Sequence, residues 1–167
     1  KTVPVAINVS PVQFRSKLIF DKIGFMMEKY HLTPDDIEFE LTERILMDES
    51  ESVKETFRML RDRQIRFSLD DFGTGFSSLS YLNKFDVFKL KIDRSFTSRL
   101  PDDYKSSALT RAILSLSKSL FIEVVAEGVE NEAQLAYFAN EKCEYVQGYF
   151  FSKLVPPDEA LRFMEKV

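Results

Sequence analysis

Six short runs rich in β-branched and aromatic residues, separated by stretches whose apolar residues recur at helical spacing, predict an α/β fold. The first run is Val3–Val9, and a stripe of Phe20, Ile23, Met26, Met27 and Tyr30 follows it. Thr33-Pro34-Asp35-Asp36 reads as a turn into the second run, Ile37–Leu41. Asp48 and Ser50 are placed to cap the next helix, whose apolar face is Val53, Phe57 and Leu60. The third and fourth runs are Arg66–Leu69 and Val87–Ile92. Leu109, Ala112, Ile113, Leu116 and Leu120 mark the helix before the fifth run, Phe121–Val125, and Asn131 caps the helix after it. Tyr145–Val146 is the sixth run, and Pro156-Pro157-Asp158 opens a last helix with Ala160, Leu161 and Met164. All four stripes are expected to lie in the core.

Strands alternating with helices fit a closed (β/α)8 barrel or an open doubly wound sheet. A barrel of the first kind takes about 250 residues, so a 167-residue chain falls short by roughly two β/α units. The chain also begins directly in a strand-like run, with no initiator Met. The reading is therefore a TIM-type (β/α)8 barrel lacking roughly its first two β/α units. The open sheet is the alternative, although no glycine-rich phosphate turn follows the first strand.

Composition narrows the setting. A hydrophobic content of 44% with 16 Phe is ample for a core. No run is long enough to span a membrane and no leader is visible, which predicts a soluble, cytoplasmic segment without membrane contact. The lone Cys143 excludes an internal disulfide and reads as a core residue; His31 reads as structural or exposed. A net charge of −4 and a pI near 5.2 give no general attraction to DNA, so an anionic substrate needs metal ions or a few placed cations.

Polar residues sit where the strands end. Asn8 ends the first; Glu40, Thr42 and Glu43 the second; Asp70-Asp71 the third. Lys91 and Asp93 lie on the fourth, Glu127 after the fifth and Gln147 after the sixth. Carboxyl ends of barrel strands are where catalytic groups collect. Any one of these acids is more often a solvated loop residue or a cap; they gain weight as a set. Their oxygens are hard donors suited to Mg2+ or Mn2+, with no His or Cys to favour zinc. Adjacent Asp70 and Asp71 can serve two ions, and Lys91 suits a nucleophilic water or the charge of a transition state. Lys89 faces the same side as Lys91 and by itself is unremarkable. Asp71-Phe72-Gly73 is also a kinase triplet, but no glycine-rich or His-Arg-Asp loop accompanies it.

On these residues the chain resembles the EAL domain family of bacterial cyclic-di-GMP phosphodiesterases. The motifs are INVSP (Ile7–Pro11), ELTE (Glu40–Glu43), DDFGTGFSSL (Asp70–Leu79), LKIDRSF (Leu90–Phe96), AEGVE (Ala126–Glu130) and QGYFFSK (Gln147–Lys153). The resemblance covers essentially the whole chain, and implies that residues 1–167 are the C-terminal three quarters of such a domain. It implies a two-metal site for Mg2+ or Mn2+, with Asn8, Glu40 and Asp70 on one ion and Asp70, Asp71 and Glu127 on the other. Lys91 would act on the nucleophilic water, with Glu127 and Gln147 also at the catalytic centre. Glu43 would anchor the Asp70–Leu79 loop, Glu130 would support the site, and Asp93 would be structural or on the substrate side.

The family's naming Glu-Ala-Leu motif belongs on an early strand and supplies one metal-ligand glutamate. Glu159-Ala160-Leu161 spells the same letters in the last helix, where it cannot be that strand. Phe76 stands where Tyr is common, and Leu154 where Pro is usual. Two functional classes follow: an active phosphodiesterase converting cyclic di-GMP to linear pGpG as the complete domain, or an inactive module that binds the nucleotide or a protein partner. The chain by itself, without that glutamate, is expected to lack activity. The resemblance also implies a homodimer, and a sensory or GGDEF-type domain elsewhere in the full protein.

Overall fold

A computed structural model of the chain describes residues 3–16, 18–75 and 79–164. Strands β1 (Val5–Asn8), β2 (Ile37–Thr42), β3 (Arg66–Phe72), β4 (Lys89–Ile92), β5 (Glu123–Ala126) and β6 (Tyr145–Val146) form one sheet in sequential order, every neighbouring pair parallel. Helices α1 (Pro11–Arg15) and α2 (Leu18–Tyr30) follow β1, and α3 (Glu43–Leu46) and α4 (Glu51–Asp62) follow β2. Then come α5 (Leu79–Lys84), α6 (Arg94–Thr97), α7 (Tyr104–Ser119), α8 (Glu132–Asn140) and α9 (Pro157–Met164). A doubly wound sheet reverses its strand order at a switch point. The order here never reverses, so the chain is a partial barrel and the open-sheet alternative falls.

Parallel strands in register point paired residues to the same side. Asn8, Glu40, Ser68, Lys89 and Glu123 are paired in succession across five strands, and Thr42 with Asp70 one step nearer the carboxyl rim. The other face packs on the helices. There Phe14, Phe20, Phe39 and Leu69 are fully buried, and Phe57 meets Phe14, Phe67 and Phe85 at ring-centroid distances of 4.8, 5.3 and 4.3 Å. The phenylalanine-rich composition is spent on this layer. The expectation that all four helical stripes are core holds for Phe20, Val53, Phe57 and Leu60 but not throughout. Met26, Tyr30, Leu109 and Leu161 are exposed. Phe76 and the side chain of Met164 lie outside the described residues.

The end of the barrel opposite the rim shows how four of the helices turn toward the next strand. His31, Gln64, Phe121 and Lys142 all have positive φ, between 53° and 58°, and none is glycine. In each case the next amide reaches back five residues: Leu32 to Met27, Ile65 to Leu60, Ile122 to Ser117 and Cys143 to Phe138, at 2.8 to 3.0 Å. These are Schellman closures with an apolar residue just beyond the left-handed one. The fifth strand consequently starts at Glu123, and Phe121, expected inside it, is a turn residue with 95% of its surface exposed. A left-handed conformation costs a β-carbon-bearing residue about 1–2 kcal/mol. Phe121 recovers none of it through burial. Phe121→Gly is therefore expected to stabilise the fold by about 1 kcal/mol after glycine's extra chain entropy is subtracted, read as a higher urea midpoint with an unchanged slope.

Candidate metal centre

The rim is built by the backbone before any side chain is considered. Beyond the strands, Glu127 N donates to Ile92 O at 3.0 Å and Gln147 N to Ala126 O at 2.8 Å, so both residues continue the ladder and hang over the carboxyl end. In β3 the register slips between Leu69 and Phe72, and Asp71 takes a positive φ of 54°. A bulge at a sheet rim re-aims side chains. Here it lets two consecutive aspartates, which a regular strand would send to opposite faces, contribute to one cluster. Carboxylate oxygens of Asp70, Asp71 and Glu127 lie within 4.8 Å of one another.

Lys91 stands among them, only 6% exposed. Its Nζ is 2.8 Å from Glu40 Oε1, 2.8 Å from Glu127 Oε1 and 3.0 Å from Asp70 Oδ1. Burial by itself favours the neutral amine, but Glu127, Glu40 and Asp70 outweigh it and hold the ammonium above the ordinary lysine range. Its approach to Asp70 lies off the axis of a hydrogen bond, which leaves Asp70 Oδ1 buried and without a hydrogen-bond donor. Gln147 Nε2 donates to Glu127 Oε1 at 2.8 Å and so fixes that carboxylate from the other side.

The neighbouring residues steer this cluster. Glu43 Oε1 accepts from Gly73 N at 2.7 Å, holding the turn after Asp71. Gly73 has φ +94°, and a β-carbon there would meet the Phe96 ring at 3.0 Å. Asp93 caps α6 by accepting from Ser95 N at 2.9 Å. The Glu130 carboxylate pairs with Arg94 Nη2, on α6, at 2.7 Å. Arg94 escaped the sequence reading. The signal lay in Gly128, whose φ of +69° and missing β-carbon make room for the Arg94 stem, 2.4 Å from where that carbon would be. Asn8, in register with Glu40 on the edge strand, is exposed. Glu159-Ala160-Leu161 lies in α9, away from any strand. His31 and Cys143 sit at the opposite end of the barrel, and burial pushes the Cys143 thiol up to about 11.

This donor set fits a hard divalent cation. Burial raises the Asp71 carboxyl, and the charges of Asp70 and Asp93 raise it further. Burial likewise raises Glu127, opposed by Lys91 and reinforced by Asp70 and Glu40. One ammonium does not neutralise four clustered carboxylates, and the buried Asp70 oxygen still lacks a hydrogen-bond donor. Cations and protons compete for raised carboxylates, so divalent affinity is expected to fall on acidification from a pH above the ordinary carboxylate value of about 4. Calorimetric titration with Mn2+ from pH 8 down to about 5 checks this; an affinity constant to within twofold over that range would contradict it.

Fold and rim together define an α/β-barrel domain that gathers carboxylates for a divalent cation. The sequence matches the EAL domain family over residues 1–154, and the chain belongs to that family. It is 42% identical over 160 residues, 96% of its length, to the signaling protein YkoW of Bacillus subtilis, and 36% identical over 152 residues, 91% of its length, to the cyclic di-GMP phosphodiesterase NbdA of Pseudomonas aeruginosa. It spans about a fifth of those relatives, 20% and 19%. Among solved structures, the manganese and cyclic-di-GMP complex of Klebsiella pneumoniae BlrP1 matches with a TM-score of 0.79 at 27% identity, over 90% of this chain and 38% of that one.

Proposed function

We propose that this domain hydrolyses one phosphodiester of cyclic di-GMP to linear pGpG, using Mg2+ or Mn2+. The observation that carries the reading is the convergence of Glu40, Asp70 and Glu127 on one buried lysine, with Asp71 completing an oxygen cluster at the barrel rim. A relative named as a cyclic di-GMP phosphodiesterase and a neighbour solved with manganese and the nucleotide support the choice of substrate and ion.

In this reading Asn8, Glu40 and Asp70 hold one ion, and Asp70, Asp71 and Glu127 the other, with Asp70 shared. Such a pair, when bound, supplies Lewis acidity on a phosphoryl oxygen and acidifies a water for attack. The chain's own groups do the rest. Lys91, held among three carboxylates, acts on the nucleophilic water and on the negative charge that grows on the phosphoryl oxygens. Gln147 keeps Glu127 aimed. Glu43 holds the turn that presents Asp71, and Glu130 with Arg94 braces the segment after Glu127. Residues 1–167 would be the C-terminal three quarters of a cytoplasmic EAL domain that dimerises and answers to a sensory or GGDEF-type domain in the same protein.

A second reading is binding of the nucleotide or a protein partner without turnover. Incubation of the complete domain with cyclic di-GMP and either metal, followed by chromatography for pGpG, separates the two. Binding without pGpG under both metals removes the enzyme reading. In an active domain, Asp70→Asn and Lys91→Ala should each lower turnover by about 10²-fold or more while the far-ultraviolet circular dichroism stays unchanged. Near-normal turnover in either variant would refute its role.

A further inference from the structure

At the opposite end of the barrel a groove of about 420 Å3 runs between α4, the first residues of β3 and the end of α5. Its lining residues come from neither β1 nor β6, the two edges of the sheet. Its floor is apolar: Phe57 lies against Phe85 with rings 4.3 Å apart and tilted by 36°, and against Phe67 at 5.3 Å. Its walls are basic. On a chain of net charge −4, five cations line this groove, and Asp86 is the one acid among its described lining residues.

Three of those cations have neighbours. Lys54 pairs with Glu51 at 2.8 Å, Arg66 with Asp35 at 2.9 Å, and Arg61 lies 3.9 Å from the adjacent Asp62. Arg58 and Lys84 make no ion pair among the described residues, and Lys84 Nζ leans over the Phe85 ring at 5.7 Å. Arg58 and Arg61 are three apart and share one side of α4, while Lys84 stands on the facing wall. A ligand that complements this surface carries an apolar strip flanked on both sides by negative charge. That is the pattern of an acidic amphipathic helix, which lays its apolar face in a groove and its carboxylates along the rims.

We propose that this groove docks an acidic amphipathic helix of a protein partner, with leucine- or phenylalanine-class side chains over Phe57 and Phe85 and Asp or Glu against Arg58, Arg61 and Lys84. The groove is remote from the rim, so the proposal stands or falls independently of nucleotide turnover. The test is fluorescence polarisation of the protein with a labelled helical peptide of roughly 14 residues, Leu and Phe at i, i+3, i+4 and i+7 and Glu elsewhere. A second peptide carries Lys in place of every Glu. The acidic peptide should bind saturably, the lysine peptide at least tenfold more weakly, and the Arg58→Glu/Lys84→Glu double variant should lose at least tenfold for the acidic peptide. Both substituted residues are exposed, and an unchanged thermal midpoint verifies that the variant is folded. Equal affinity for the two peptides, or a double variant within twofold of the parent, overturns the proposal. So does binding of anilinonaphthalene sulfonate that depends on Arg58 and Lys84 when the acidic peptide fails, because the groove would then be a site for small aromatic anions.

Discussion

The Lys91 ammonium holds the rim together. It reaches from β4 to carboxylates delivered by β2, by β3 and from beyond β5, so one cation links four consecutive strands at the end where the helices leave them open. Burying any of these charges unpaired would cost several kcal/mol, and the arrangement survives because each partner offsets the others. The balance remains negative: Glu40, Asp70, Asp71 and Glu127 outnumber Lys91. That deficit makes an acidic domain attractive to a divalent cation.

Local backbone devices make this electrostatic arrangement possible. The bulge in β3 puts Asp71 beside Asp70, the Glu43 carboxylate clamps the turn that follows, and Gly128 admits Arg94 against the segment after Glu127. Each device is short-range, yet each acts on a residue of a different strand. Shifting one strand by a single residue would turn its carboxylate from the rim into the apolar layer. The phenylalanine layer on the helix face opposes such a slip, since Phe39, Phe67 and Leu69 would be driven to the polar side in exchange.

The two ends of the barrel divide the work. At the carboxyl rim, conformational strain and unpaired acidity serve a cation site. At the other end, four helices close on left-handed residues and repeated Schellman bonds, where the geometry serves the fold. The basic groove sits at that second end, and its floor is shared with the aromatic core.

Much of this was legible in the chain. Strand-helix alternation, capping by Asn131 and the polar residues at strand ends are local patterns, and they carried the architecture, the EAL resemblance and the residues of the rim. The helix ends were less legible, because glycine usually marks such turns and here His, Gln, Phe and Lys stand in its place. The exposed flanks of α2, α7 and α9 were hidden too, since periodicity shows that a helix has an apolar face without showing how much of it the sheet covers. The amino-acid sequence alone determined which acids and which lysine reach the carboxyl end, since strand alternation is a property of the chain. Only the tertiary structure decided that Lys91 touches three of those acids, that Asp70 keeps an oxygen without a donor, and that Arg58 and Lys84 face each other across an apolar floor. Those relations depend on distances between strands and helices, which packing sets and no single segment contains.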